Sequence, residues 1–134
     1  MVSKTLPIRE RMSPMPYTLG RDQTMAEAAK RMHEHGIRHL AVLHGGKMIG
    51  VVSDRDIALV ESLEGVDSGV VPVHEAMTPD PYAVQADAPV ADVVEEMAQH
   101  KYGAALVLEG EKLVGIFTTV DALHLAHDLL AAQP

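Results

Sequence analysis

Two stretches of this sequence follow a glycine and two apolar residues with a hydroxyl three residues ahead of a carboxylate: Gly50-Val51-Val52-Ser53-Asp54-Arg55-Asp56 and Gly115-Ile116-Phe117-Thr118-Thr119-Val120-Asp121. In each, a glycine permits close approach, two apolar residues anchor a strand, and the hydroxyl opens a helix. Two chemistries fit that arrangement. One is structural: Ser or Thr at the N-cap with an acid at N3 ties off the helix start, a contribution of about 1 kcal/mol. The other is recognition. A helix N-terminus offers N–H groups and a positive dipole end to phosphate, while the adjacent carboxylate can accept hydrogen bonds from vicinal ribose hydroxyls, as in dinucleotide sites. Finding the arrangement twice shifts the balance toward recognition.

The elements that must position these residues repeat as well. Pro7–Glu64 laid on Pro72–Leu129 matches 16 residues, among them Met12/Met77, Pro16/Pro81, Tyr17/Tyr82, Met32/Met97, His35/His100, Gly50/Gly115 and Asp56/Asp121. Residue frequencies alone would give roughly three or four. Each copy reads as strand, helix, strand, strand, helix. In the first, Thr24 with Glu27 forms a capping box, Met25, Ala28, Ala29 and Met32 fall at helical spacing, and Gly36 stops the helix. Ile37–Leu43 and Met48–Val52 are predicted strands around a Gly45-Gly46 turn, and a second helix opens at Ser53. The second copy has Val90, Val93, Val94 and Met97 on its first helix, strands over Tyr102–Leu108 and Leu113–Phe117, and a helix opening at Thr118. The Pro-punctuated segments Met12–Leu19 and Met77–Val84 precede these helices and end in predicted edge strands. The expected fold class is mixed α/β (α+β). Its parts are a tail (1–6), a first motif (7–64), a linker (65–71), a second motif (72–129) and a tail (130–134), with the motifs packed sheet against sheet about a pseudo-twofold axis.

Composition narrows the function. An apolar fraction of 47% marks a globular chain, and no apolar run approaches the roughly 20 residues of a membrane span or follows the N-terminal charges as a signal would, so a cytoplasmic protein is expected. The absence of cysteine excludes disulfides and thiolate chemistry. A net charge of −8 argues against a nucleic-acid or lipid-binding surface, so any anion must be caught locally. The sequence has no Gly-x-Ser-x-Gly elbow, Walker loop or His-Glu-x-x-His, and no catalytic residue is assigned. Eight histidines, including His33, His35, His39, His124 and His127, offer pairs without a fixed third donor, so no metal site is assigned either. The methionines sit at helical core positions.

The run Gly36-Ile37-Arg38-His39-Leu40-Ala41-Val42-Leu43, a glycine turn, then Gly50 to Ile57, duplicated in tandem, resembles a pair of CBS (cystathionine-β-synthase) domains across about Pro7–Leu129. The resemblance implies a stand-alone CBS pair: two βαββα motifs forming one module with two clefts between them that take adenine nucleotides or related adenosyl compounds. The ribose-binding carboxylate and its hydroxyl map onto Asp56 with Ser53 and onto Asp121 with Thr118. The residue meeting adenine through its backbone maps onto Ile37 and Tyr102, and the phosphate-facing position onto Arg38 but Gly103 in the second copy. Ala41 and Leu106 stand where the family usually has proline.

Arg38 and His39 against Gly103 and Ala104 imply unequal clefts, the first suited to more highly phosphorylated ligands. The expected function is a regulatory module sensing AMP, ADP or ATP, with S-adenosylmethionine or NAD as alternatives, that requires no cofactor and signals to a partner protein. A homodimer is expected from the apolar Ile57, Ala58, Leu59, Leu63, Leu123, Leu125, Leu129 and Leu130 on the closing helices. The competing expectation is a structural dimerisation module whose Ser/Thr–Asp pairs are helix caps and nothing more.

Overall fold

The computed structural model describes residues 4–14 and 17–133, so Pro16 of the repeat lies outside the described residues. The chain forms two compact units, one spanning Tyr17–Pro81 and the other joining Met1–Pro16 to Tyr82–Pro134. Both are mixed α/β. Each boundary falls inside a Pro-punctuated segment, so the leading piece of each sequence repeat belongs to the unit built by the other repeat.

The first unit contains β2 (Thr18–Gly20), α1 (Met25–His35), β3 (His39–His44), β4 (Lys47–Ser53), α2 (Asp54–Glu61) and β5 (Thr78–Pro79), with sheet order β2-β3-β4-β5. The second contains β1 (Ser13–Pro14), β6 (Ala83–Gln85), α3 (Val90–His100), β7 (Ala104–Glu109), β8 (Lys112–Thr118) and α4 (Thr119–Ala131), with sheet order β1-β8-β7-β6. The expected edge strands β2 and β6 run parallel to β3 and β7. The strands β1 and β5, two residues each, run antiparallel to β8 and β4 and were not anticipated.

Alternation along β3 and β4 sends Leu40, Val42 and Val52 into a core with Met25, Met32 and Ile57. In the second unit Val107 and Phe117 meet Val93, Met97 and Leu125. No polar or charged side chain is buried among the described residues. Ile57 and Leu125 are therefore core residues, whereas Leu59 on α2, Leu63 just beyond it, and Leu123 and Leu130 on α4 stay largely exposed.

Helix ends follow the sequence signals in part. Thr24 Oγ1 accepts the Glu27 N–H at 3.2 Å, but Glu27 Oε1 accepts from Arg31 Nε at 3.2 Å, where a full capping box would have turned it back on Thr24. The other open amides of α1 are closed from the predicted linker: Met25 N–H donates to Val71 O at 2.9 Å and Ala26 N–H to Ser68 O at 3.0 Å. Leu6, in the predicted N-terminal tail, does the same for α3 by accepting from Val90 N–H at 2.8 Å. Gly36 ends α1 in the left-handed region at φ 62°; Lys101 ends α3 there at φ 59°.

Candidate functional site

Both hydroxyl–carboxylate pairs close as reciprocal capping boxes. Ser53 is the N-cap of α2; its Oγ accepts Asp56 N–H at 3.0 Å while Asp56 Oδ2 accepts Ser53 N–H at 3.0 Å. Thr118 caps α4 likewise, with Asp121 N–H to Thr118 Oγ1 at 3.2 Å and Thr118 N–H to Asp121 Oδ2 at 2.8 Å. The cap chemistry expected from the sequence is present in both copies, with the carboxylates half-buried.

The surroundings then diverge. Asp121 Oδ1 accepts from Ser13 Oγ at 2.9 Å, and its Oδ2 also accepts from Thr118 Oγ1 at 3.1 Å, so both oxygens are engaged. Asp56 Oδ1 has no donor among the described residues. Thr78, which occupies the place of Ser13 in the other copy, is exposed and makes no bond to Asp56. The helix starts differ too. In α2 the Asp54 N–H is taken by Arg38 O at 3.0 Å and the Arg55 N–H by Asp54 Oδ1 at 2.8 Å, which with Asp56 N–H leaves none of the first three open. In α4 the Thr119 N–H is taken by Gly103 O at 3.1 Å, but Val120 N–H has no side-chain acceptor among the described residues. The N–H groups expected to meet phosphate in the first copy are thus already bonded within the protein.

The close approach that the repeated glycines permit is to the chain's own backbone. A Cβ on Gly50 would stand 2.8 Å from Thr78 O and 2.5 Å from Met77 Sδ; on Gly115 the same distances fall to Ser13 O and Met12 Sδ. The close approach is made by the exchanged strands β5 and β1.

The other predicted ligand residues separate into two groups. His39 faces Ser53 across the β3–β4 pair, on the sheet face opposite the core residues Leu40 and Val52. Burial holds its pKa below the usual 6.5, opposed by the charges of Asp54 and Asp56. Ala104 holds that place opposite Thr118. Ile37 and Arg38, by contrast, line a groove of about 430 Å³ between α1 and α2 with His33, Asp54 and Glu61, and neither Ser53 nor Asp56 is among its walls. Tyr102 and Gly103 line the equivalent groove of about 450 Å³, walled by Met97, Ala98, Ala122 and Leu123. Ile37 and Tyr102 do not open the strands: their N–H groups bond to Met32 O at 2.9 Å and Met97 O at 3.0 Å, closing the preceding helices, and the strands begin at His39 and Ala104. Tyr102 stacks on both Tyr82 and His100, at centroid distances of 5.0 and 5.1 Å, whereas Tyr17 lies directly on His35 at 3.7 Å. Ser13 is the functional candidate missed in sequence; its signal was the repeated Met-hydroxyl-Pro of Met12-Ser13-Pro14 and Met77-Thr78-Pro79. Among the described residues no three His, Asp or Glu side chains converge on a metal position, and no helix is long and apolar enough to cross a membrane.

This duplicated geometry has counterparts in known proteins. The CBS domain family profile matches residues 8–62 and 73–128. The chain belongs to the CBS domain family. It is 31% identical over 114 residues to the CBS domain-containing protein YhcV of Bacillus subtilis, covering 85% of this chain and 81% of that one. Among solved structures it is similar to the CBS domain pair of protein MJ0100 in complex with 5-methylthioadenosine and S-adenosyl-L-methionine, with a TM-score of 0.82, 25% identity, and coverage of 92% of this chain and 98% of that one. An inosine-5'-monophosphate dehydrogenase of Korarchaeum cryptofilum is 31% identical over 108 residues, but these cover 80% of this chain and only 21% of the enzyme. The shared part is the CBS pair.

Proposed function

We propose that this CBS pair is a regulatory module that binds an adenosyl compound at Asp56 and Asp121 and passes the bound state to a partner protein in the cytoplasm. The observation carrying this reading is the half-engaged Asp56 carboxylate at the helix start of a chain whose structural counterpart binds 5-methylthioadenosine and S-adenosylmethionine. A free carboxylate oxygen beside a helix N-terminus suits a ribose diol. Saturated amides at the start of α2 and the carboxylates Asp54 and Glu61 around Arg38 favour adenosyl groups of low negative charge, S-adenosylmethionine, methylthioadenosine or AMP, over ADP and ATP. The exposed Leu59, Leu63, Leu123 and Leu130 support a homodimer.

The closure of both capping boxes by the chain's own groups favours a second reading, a structural dimerisation module. Thermal denaturation with each adenosyl compound separates the two. A ligand at 100 times its dissociation constant adds about 2.7 kcal/mol of stability, whereas no shift with S-adenosylmethionine, methylthioadenosine, AMP, ATP or NAD would leave the structural reading standing.

A further inference from the structure

The segment Arg11–Pro14 does more than complete a sheet. Ser13 Oγ donates to Asp121 Oδ1 at 2.9 Å from β1, whose Ser13 pairs with Ile116 and whose Pro14 pairs with Gly115. Two residues earlier Arg11 holds Asp128 on α4 at 2.6 Å, so the same strap grips the first and last parts of α4. The other copy has neither grip: Ala76 and Leu63 replace Arg11 and Asp128, and Thr78 leaves Asp56 alone.

We propose that Ser13 is a competitor built into the chain, holding Asp121 so that a ligand hydroxyl must share Oδ1 with it or displace it, and making Asp56 the carboxylate that fills first. This rests on the adenosyl-binding reading above. Asp121 Oδ2 is held by Thr118 N–H and Oγ1, so Oδ1 is the oxygen a ribose diol must compete for. The ordering of the two carboxylates is then set by the exchanged strand rather than by the motifs. Occupation at Asp121 would also loosen the Ser13 end of the strap, giving that carboxylate a reporting role that Asp56 lacks.

The test uses the full chain carrying Asp56→Ala, which leaves Asp121 as the remaining ribose acceptor, titrated calorimetrically with S-adenosylmethionine. Adding Ser13→Ala should tighten binding about tenfold, the equivalent of one hydrogen bond to a charged group no longer broken. Arg11→Ala, which slackens the strap without touching Asp121, should shift affinity the same way by a smaller factor, and Thr78→Ala should change nothing. Unchanged or weaker binding in both the Ser13→Ala and Arg11→Ala chains would overturn the competitor. Absence of binding in every chain, including the one with Asp56 intact, would overturn the adenosyl reading itself and the competitor with it.

Discussion

Asp56 and Asp121 occupy the same place in two copies of one motif, each at the third position of a helix capped by a hydroxyl, yet among the described residues the first keeps an oxygen without a donor and the second does not. The source of that difference lies outside the motif. Ser13 and Thr78 arrive from exchanged strands, and only Ser13 reaches its carboxylate. The contrast continues along the helix starts, where Asp54 closes the Arg55 amide while the Val120 amide has no side-chain acceptor among the described residues. Equivalent sequence therefore specifies equivalent caps, while the acceptor capacity each carboxylate keeps depends on what the cap meets from another part of the chain.

The harshest way to break the comparison is to expel the exchanged strands. Gly115→Ala would set a Cβ 2.8 Å from Ser13 O and Gly50→Ala one 2.8 Å from Thr78 O, and a backbone carbonyl cannot swing aside as a side chain can. Each is expected to cost about 3 kcal/mol in urea denaturation, and Gly115→Ala alone should also free Asp121. The carboxylates come next. Asp121→Ala removes the cap bond and strands Ser13 and Thr118, for an expected loss of about 2 kcal/mol, against about 1 kcal/mol for Asp56→Ala; equal losses would mean that the Ser13 contact contributes nothing.

How far the sequence could foretell this varies by element. Thr24 and Gly36 bracketed α1 correctly because caps and stops are local signals, and the Ser53–Asp56 and Thr118–Asp121 spacings announced reciprocal caps for the same reason. The strands β1 and β5 were invisible: two residues have no period, and the proline in each reads as a break. The apolar character of Ile37 and Tyr102 points to strand, but their amides belong to the helix ends behind them. Nothing local told that Arg38 would sit in the α1–α2 groove with Asp54 and Glu61 while His39 turned to the other face of the sheet.

Smaller effects sharpen the comparison. Lys101 adopts the left-handed geometry that Gly36 takes without a side chain, so Lys101→Gly should stabilise the second unit by about 0.5–1 kcal/mol, while Gly36→Ala, with open space around it, should cost about 1 kcal/mol for conformation alone. Thermal melts of the two variants should move in opposite directions.

The mildest difference is in proton linkage. Burial lowers the pKa of His39, so the folded chain binds fewer protons there than the unfolded one. Its contribution to stability is complete above 6.5 and is lost as pH falls through the folded value. Denaturation midpoints measured from pH 7.5 downward should drop, and His39→Ala, which installs the residue found at position 104, should flatten that drop.

The central claim, that this CBS pair reads an adenosyl compound through two unequal carboxylates, is tested most directly by calorimetric titration of the intact chain with S-adenosylmethionine. Saturable binding is expected in two steps of different affinity, the tighter abolished by Asp56→Ala and the weaker by Asp121→Ala. A flat titration at millimolar ligand, repeated with methylthioadenosine and AMP, would contradict it.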